Sequence, residues 1–245
     1  KGMFAALINA FRVPDIRKKL LFTFGILILY QIGGLIPVPG IDRVAFSSLV
    51  SQMGQIGSLM NIISGGNLYA ASIFAMGITP YINSSIIIQL LTVAIPALER
   101  MQKEGEPGRK KIQKIVRFCT IGLALIQATA FWYATRSAMS GYLPQVLSAI
   151  LIILSFTAGT AFIMWLGEQI NEKGIGNGIS LIIFTGIVTR LPSMAQQLYG
   201  YSLDVSGRID PVVLGVILGI LLFIVVTCIT VSIIVFVLFV QNAER

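Results

Sequence analysis

The sequence predicts an all-α polytopic membrane protein, whose helices cross a bilayer several times. Of its 245 residues, 56% are hydrophobic and only 11% are charged, whereas soluble domains carry about 25% charged residues. Apolar runs of about 20 residues, the length a helix needs to cross the hydrocarbon core, recur along the chain. Lysine and arginine are concentrated between these runs. Together the three observations exclude an ordinary soluble domain.

Six apolar runs are the candidate spans, and the segments between them are the predicted loops. The fifth run is weak, because its purely apolar core covers only 181–188, apart from Thr185. The sixth run is long enough to cross with a tilt or to project beyond the bilayer. The candidate spans are Leu20–Ile36, Ile73–Ile95, Ile115–Thr135, Leu147–Leu166, Ile175–Leu191 and Val212–Val240.

The distribution of positive charge orients the chain in the membrane. Fourteen of the 18 Lys and Arg residues lie on one side, in the amphipathic lead-in 1–19, the loop 99–117, the loop 167–174 and at Arg245. The positive-inside rule places that side in the cytoplasm, together with the N-terminus. The loop 192–211 is then external. The net charge of +8 therefore reflects topology better than it indicates nucleic-acid binding.

The segment between the first two spans predicts a short helix that cannot cross the membrane. The first span ends in LIPVPGID, where two prolines and a glycine suit a turn just outside the bilayer. Two interpretations of the following stretch, 46–70, stay open: an amphipathic helix on the outer surface, or a re-entrant element tucked into the protein. The residues that predict the helix are Leu59, Met60, Ile62 and Ile63, with Gly65–Gly66 as its stop.

The second span is interrupted in a way that favours the wall of a path over a lipid anchor. Residues 77–91 read GITPYINSSIIIQLL, with Gly, Pro and small polar residues inside an apolar run. In a bilayer such interruptions persist only where protein or a water-filled cavity faces them. The alternative is that Asn83, Ser84, Ser85 and Gln89 hydrogen-bond to neighbouring helices.

The sequence lacks the groups that most membrane enzymes and coupled carriers use. It contains no histidine, so the serines of the second span have no base beside them, and intramembrane proteolysis is disfavoured. No acidic residue lies at mid-membrane depth in a candidate span, which weighs against an ion-coupled carrier. GIGNG at 174–178 lacks the GK[ST] ending of a phosphate loop and predicts a helix entry capped by Asn177 or Ser180. We therefore predict no catalytic residue, no metal site and no cofactor.

Two pairs of isoleucines share a helical spacing. Ile78 and Ile82 are four residues apart in the second span, and Ile179 and Ile183 are four apart in the fifth. Each pair therefore lies on one helix face. Facing a cavity, the four side chains would form a narrow apolar constriction that blocks water and ions. Facing lipid, they would be ordinary membrane-exposed isoleucines, and the spacing alone does not decide between the two.

Long motifs in the chain resemble the SecY family, the bacterial protein-conducting channel subunits. The two most specific are GITPYINSSIIIQLL at 77–91 and WLGEQINEKGIGNGISLIIFTGIV at 165–188. LIPVPGID, SGGN, SIFAMG and KEGEPGRKK are similar to the family in the same order. The resemblance spans essentially the whole chain.

The resemblance implies a SecY-like channel of ten spans, built as two five-span halves related by inverted symmetry. This chain would supply the first half, 20–191, and the sixth span, 212–245, and the remaining C-terminal half would be absent. The family also implies a pore ring, a re-entrant plug helix at about 57–70, a lateral gate and a cytoplasmic partner contact. The ring residues are Ile78, Ile82, Ile179 and Ile183; the plug residues are Gly57, Leu59, Met60, Ile62, Ile63, Gly65 and Gly66; the gate residues are Asn83, Ile86 and Gln89; the partner-contact residues are Arg109, Lys110 and Lys111.

The function implied by the resemblance is passive conduction, not enzymatic catalysis. Unfolded secretory polypeptides would cross the bacterial cytoplasmic (inner) membrane, and signal or transmembrane segments would leave laterally into lipid. The implied partners are the SecE and SecG subunits, the SecA motor or the ribosome, signal peptides and nascent polypeptides, and membrane lipid. The basic loop 99–117 either enforces topology alone or also contacts an acidic partner or ribosomal RNA. A small-solute transporter with broken helices is the rival class, and an assembly factor without conduction is a third.

Overall fold

The computed structural model describes residues 13–136, 144–190, 192, 193 and 196. The chain divides into one unit at 1–188 and another at 189–245. In the second unit, the Ser193 hydroxyl donates to the carbonyl oxygen of Arg190 at 2.8 Å. In the described part of the first unit, the main elements are eight α-helices. They are α1 Pro14–Gly34, α2 Arg43–Gln52, α3 Gly54–Ile63, α4 Thr79–Ala94, α5 Pro96–Lys103, α6 Glu106–Thr135, α7 Gln145–Lys173 and α8 Gly178–Val188.

Helix α1 begins where the sequence changes from charged to apolar. Pro14 lies in its first turn, where the missing N–H costs nothing, and the charge of Asp15 is favourable near the N-terminus. Its Ile26 and Tyr30 side chains are buried against the rest of the chain, while Ile28 projects from the opposite face. One face of α1 thus packs on protein and the other is available to lipid.

Between α1 and α4 the chain leaves the bundle and returns to the same place. We call this segment, residues 36–73, the excursion. The N–H of Val38 donates to the carbonyl oxygen of Ala71 at 2.9 Å, and the N–H of Ile73 donates to the carbonyl oxygen of Ile36 at 3.0 Å. An isolated antiparallel bridge lies between these two bonds. Helices α2 and α3 lie inside the excursion. This geometry favours the re-entrant interpretation over a helix lying on the outer surface.

Helix α3 is the short helix that the sequence predicts. It has 10 residues, or about 15 Å at 1.5 Å per residue, which is too short to cross a membrane. Gly65 and Gly66 follow it with φ angles of 68° and 83°, a left-handed conformation that glycine adopts without the penalty of a Cβ atom. The prediction of a short helix stopped by a glycine pair is confirmed.

The second predicted span, Ile73–Ile95, is helical only in α4, because turns precede Thr79. Pro96 restricts the residue before it to extended backbone, and Ile95 has φ −108° and ψ 112°. The axes of α4 and α5 consequently meet at 101°. The span therefore has a turn at one end and a sharp bend at the other.

Helices α6 and α7 are the longest described elements, with 30 and 29 residues. They contain the third and fourth predicted spans and pack along each other. By length and composition, these two of the described helices are apolar enough to cross a membrane, and the bent α4–α5 pair makes a third if it counts as one span. The weak fifth span corresponds to α8, a shorter apolar helix of 11 residues. The sixth predicted span lies outside the described residues, as do most of the lead-in and of the external loop.

Two clusters of buried residues hold these elements together. The first cluster joins the excursion to α6 and α7, and the half-buried ring of Phe131 lies 5.4 Å from that of Phe46 and 5.7 Å from that of Phe156. The second cluster joins α1, α7 and α8 to Ile78, the residue just before α4. Partly buried residues of α4 pack against it. The first cluster comprises Val38, Phe46, Val50, Leu68, Ala71, Ala75, Ala128, Ile152 and Phe156; the second comprises Ile26, Tyr30, Phe74, Ile78, Ile163, Leu166, Ile170 and Ile182.

Replacing Gly159 with alanine tests how closely α7 must approach the excursion. A Cβ atom at this position would overlap the carbonyl oxygen of Ile73, and that backbone atom cannot rotate away. We expect Gly159→Ala to lower the free energy of unfolding by about 1–3 kcal/mol, the usual cost of overpacking. The measurement is thermal unfolding of the purified protein in detergent.

Gly122→Ala in α6 is the matched control. Nothing lies within 4 Å of a Cβ atom at Gly122, and alanine favours a helix more than glycine does. Equal midpoints for the two variants would contradict the close contact at Gly159.

Candidate functional site

The four isoleucines predicted from their spacing all pack against the second cluster. Ile78 belongs to it and is 4% exposed, while Ile82, Ile179 and Ile183 are partly buried against it. Ile78 is the residue before α4, and its carbonyl oxygen accepts the N–H of Ile82 at 3.1 Å. The two helices that carry the pairs are thus brought to one apolar centre, although 96 or more residues separate the pairs in sequence.

Hydrogen bonds to side chains hold the entry into α8 in place. Asn177 caps the helix, because its side-chain oxygen accepts the N–H groups of Ile179 at 3.1 Å and Ser180 at 3.4 Å. The N–H of Gly178 donates to the side-chain oxygen of Asn171 in α7 at 2.7 Å. Of the two predicted capping residues, Asn177 therefore serves as the cap. These bonds set the position of α8, and with it that of its isoleucines.

A bond from α1 reaches the same entry. The N–H of Ile175 donates to the hydroxyl oxygen of Thr23 at 3.1 Å, and that hydroxyl itself donates to the carbonyl oxygen of Lys19 at 2.9 Å. The GIGNG segment, the predicted entry into a helix, is therefore anchored to two helices, α1 and α7.

The predicted plug residues divide into a buried edge and an exposed face. Gly57 is buried where α3 turns back on α2, close to the carbonyl oxygen of Val50. Ile62 is half-buried. The exposed side chains are those of Leu59, Met60 and Ile63. Helix α3 therefore packs on the protein along one edge and leaves its apolar face uncovered.

The predicted lateral-gate residues lie on the open face of α4. Asn83, Ile86 and Gln89 are exposed, and Ile86 is 50% exposed. Ser84 and Ile88 are buried on the other face. The Ser84 hydroxyl makes no hydrogen bond within the described residues, so the alternative of polar bonds to neighbouring helices finds no support at that residue.

The segment 99–117, predicted as a basic loop, is helical in α5 and α6 apart from residues 104–105. Its positive charge is partly neutralised by its own carboxylates. The Lys111 ammonium lies 3.0 Å from a carboxylate oxygen of Glu104, and the Arg109 guanidinium lies 3.8 Å from that of Glu106. Among the ion pairs of the described ranges, none includes Lys110, which is exposed. Lys110 is therefore the residue of the predicted partner contact that is most available to a partner.

The chain matches proteins of one family. The SecY family model matches residues 72–245. This chain belongs to the SecY family. It is 43% identical to the protein translocase subunit SecY of Bacillus subtilis, over 99% of this chain and 56% of that protein. It is 46% identical to that of Synechococcus elongatus, over 96% of this chain and 52% of that protein.

The chain thus spans about half the length of the curated SecY relatives that it matches. Among solved structures, it resembles one described as a protein conducting channel, with a TM-score of 0.49 and 22% identity, over 81% of this chain and 42% of the other. The family resemblance predicted from the motifs is confirmed by the family model and by these relatives.

Sequence reasoning missed three residues of this SecY chain that join the site together. Tyr30 of α1 and Asn67 of the excursion form a buried hydrogen bond, and Gly186 of α8 lies against Gly65, just after α3. Tyr30 lies in an ordinary apolar run, whereas Asn67 and Gly186 lie within the SGGN and 165–188 motifs, which do not single out either residue. The signal that they matter is their mutual contact, and only the folded chain shows it.

An ion pair links α6 and α7 at the end of the bundle that the charge distribution places in the cytoplasm. The Arg117 guanidinium donates to a carboxylate oxygen of Glu168 at 2.5 Å. Glu168 lies two residues beyond the fourth predicted span, and its side chain is 16% exposed. Burial raises the pKa of the Glu168 carboxyl above its ordinary value near 4.5, although the hydrogen bond and charge of Arg117 partly offset that rise.

The raised pKa of Glu168 predicts the sign of a pH effect. The folded state holds the proton of the Glu168 carboxyl more tightly than the unfolded state does. The stability that this proton contributes is therefore fully present below the ordinary pKa of glutamate and is lost as the pH rises through the raised pKa. We expect the thermal midpoint of the native protein to fall relative to that of Glu168→Gln as the pH rises above the ordinary pKa of glutamate, near 4.5. A rise instead would mean that the ion pair with Arg117 outweighs burial.

Proposed function

We propose that the protein containing this chain is a protein-conducting channel of the bacterial cytoplasmic membrane. It passes unfolded polypeptides across the bilayer and releases sufficiently apolar segments sideways into lipid. The observation that carries the proposal is the convergence of Ile78, Ile82, Ile179 and Ile183 on one buried cluster, in a chain of the SecY family. The N-terminus lies in the cytoplasm, as the positive-inside rule indicates.

The four isoleucines form part of an apolar pore ring, which the other half of the protein completes. β-branched side chains are stiff and carry no polar atoms, so the ring makes few specific contacts with a passing chain. Conduction fails where any site holds the cargo tightly, and a uniformly apolar constriction avoids this. An empty ring excludes water and ions by the same property.

Helix α3 and the turn after it are the plug that closes the ring from outside, at about 57–70. The re-entrant hydrogen bonds at 36–38 and 71–73 support this role, because they return the chain to the start of α4 beside Ile78. Gly77 lies close to the turn at Ser64, since a Cβ atom at Gly77 would be 3.5 Å from the Ser64 Cα. The end of the plug helix thus lies next to the first residue of the ring.

The open face of α4 forms one side of a lateral gate. A signal segment that contacts Asn83, Ile86 and Gln89 can move from the channel into lipid. Each Å² of apolar surface that this movement removes from water contributes about 25 cal/mol. The exposure of these side chains supports the assignment. The other side of the gate belongs to the second half of the protein.

Directional movement requires energy from a partner, since the channel itself is not an enzyme. The partners of the family are the SecE and SecG subunits, with the SecA motor or the ribosome as the source of energy. The exposed basic residues Arg109, Lys110 and Lys111 support a contact of this chain with an acidic or phosphate-rich cytoplasmic surface.

Polar replacement of the ring tests the channel. We expect serine at Ile78, Ile82, Ile179 and Ile183 together to increase resting ion conductance at least about tenfold, because polar side chains no longer expel water from the constriction. The measurement uses the full-length protein with its accessory subunits in planar bilayers.

The matched control replaces four isoleucines whose side chains are at least half exposed. These are Ile28, Ile32, Ile126 and Ile150. Serine at these positions should leave the conductance near that of the native channel. An unchanged conductance in a folded ring variant would overturn the assignment of the ring, and saturable uptake of one small solute would favour the transporter class.

Neutralising the basic loop tests the partner contact. We expect glutamine at Arg109, Lys110 and Lys111 to weaken docking of the cytoplasmic partner about tenfold at low salt, with a smaller effect at high salt. Lys110→Gln alone should account for the largest part of the loss, because the other two residues lie beside carboxylates. Docking is measured with purified motor or ribosomes on reconstituted channel.

Glutamine at Arg17, Lys18 and Lys19 removes the same charge from another part of the same predicted side. This control should retain docking. An equal loss in both variants would show that net charge alone matters, and the loop would then serve topology only.

A further inference from the structure

Helix α1, helix α8 and the turn after α3 meet at one point. The turn and α8 meet there through two glycines, Gly65 and Gly186. A Cβ atom at Gly186 of α8 would lie 3.2 Å from the Cα of Gly65, at the end of the plug helix, and 3.5 Å from the Tyr30 hydroxyl oxygen of α1. A Cβ atom at Gly65 would lie 2.8 Å from the Cα of Gly186. Backbone therefore touches backbone at this point, and no side chain fits between.

A buried hydrogen-bond network holds the plug end against this contact. The Asn67 side-chain amide donates to the Tyr30 hydroxyl at 3.3 Å and to the carbonyl oxygen of Ser64 at 2.7 Å. The Ser64 hydroxyl donates to the carbonyl oxygen of Asn61 at 3.0 Å. All four side chains are at most 7% exposed, and buried bonds of this kind rigidify the groups they join.

The rest of the plug helix is loosely held. Its exposed face borders an apolar cavity of about 430 Å³, lined in part by Met60, Ile63, Met76 and Phe131. Its first residue, Gly54, has φ 61°, a conformation at which the chain turns sharply between α2 and α3. The helix thus has space on one side and a turn at its start, and its end is the part that is fixed.

On α8, the glycine that touches Gly65 lies on the same helix face as the proposed ring residues. Ile179, Ile183 and Gly186 are spaced by four and three residues, which places them on one face of the helix. Gly186 lies one turn beyond Ile183. Because Ile183 and Gly186 lie on one short helix, a movement of α8 at Ile183 also displaces Gly186 relative to Gly65.

We propose that the contact between Gly65 and Gly186 is the seat of the plug, and that α8 couples widening of the ring to release of the plug. Tyr30 and Asn67 are positioning residues that hold the plug end on this seat. The inference rests on the proposed channel function. The strength of the seat sets the resting ion leak.

Enlarging Gly186 in the full-length channel with its accessory subunits tests the seat. We expect Gly186→Ala to raise resting conductance about tenfold in planar bilayers, and Gly186→Val to raise it further, because each added group pushes the plug end away and an open state of low occupancy becomes more populated. Alanine favours the helix, so the conductance of Gly186→Ala can be measured even if the Gly186→Val protein is not obtained in folded form. Gly122→Ala and Gly122→Val, at a site open on α6, should leave conductance unchanged.

Deleting the plug separates this inference from the function on which it rests. In a channel lacking residues 57–66, Gly186→Ala and Tyr30→Phe should add nothing to the leak, whereas a general weakening of the fold would add in both backgrounds. In the intact channel Tyr30→Phe should raise the leak, since it keeps the stacking on Phe74 and loses only the hydroxyl.

Each outcome has one meaning. A deletion that leaves conductance unchanged would contradict the plug itself, and with it the proposed function. A deletion that raises conductance, together with a Gly186→Ala channel that stays as tight as the native one, would overturn the seat and leave the channel intact. Equal increments from Gly186→Ala with and without the plug would also overturn it.

Discussion

The structure depends on satisfying the backbone polar groups between α1 and α4. In a bilayer these groups find no water, so an irregular segment persists only if the protein supplies its hydrogen bonds. The strand-like bonds at 36–38 and 71–73 close the excursion. Within it, the N–H of Tyr69 donates to the Asn61 side-chain oxygen at 3.0 Å, and the N–H of Leu68 donates to the Ser64 hydroxyl at 3.2 Å. Once these bonds form, the excursion is a fixed part of the fold, and it positions both α3 and Ile78.

The same segment explains why glycine occupies the contacts between helices. Bilayer lipid is as apolar as a leucine side chain, so helices associate through close packing rather than through exclusion of water. Gly159 lets α7 touch the carbonyl oxygen of Ile73, and Gly178 lets the start of α8 touch that of Gly167. The contact of Gly65 with Gly186 follows the same rule. Close approach of backbones, rather than large interlocking side chains, fixes where the excursion sits.

Local patterns predicted those features whose causes are local. The apolar runs predicted α6 and α7, the Gly65–Gly66 pair predicted the end of α3, and Asn177 was one of two predicted caps of α8. The turns before Thr79 were hidden inside an apolar run, because hydropathy does not distinguish a buried turn from a helix.

The contacts that assemble the site could not be predicted in this way. Tyr30 and Asn67 are 37 residues apart, and Gly65 and Gly186 are 121 apart. No periodicity links positions so distant, and a glycine in a helix signals only that something approaches it. Spacing and the motifs of the SecY family indicated the four isoleucines, but the physical reason that they converge lies in the second cluster, which draws on α1, α7, α8 and the segment that leads into α4.

The proposed channel must open without unfolding, and the two clusters differ in a way that suits both demands. The first cluster is the frame: its aromatic residues Phe46 and Phe156 are fully buried, and it contains none of the proposed ring residues. The second cluster includes Ile78 and has the other three proposed ring residues only partly buried at its edge. Displacing side chains at an edge exposes less apolar surface than disrupting a closed core. In the proposed channel we therefore expect the opening movement to fall on the second cluster, while the first keeps the excursion and the two long helices in register.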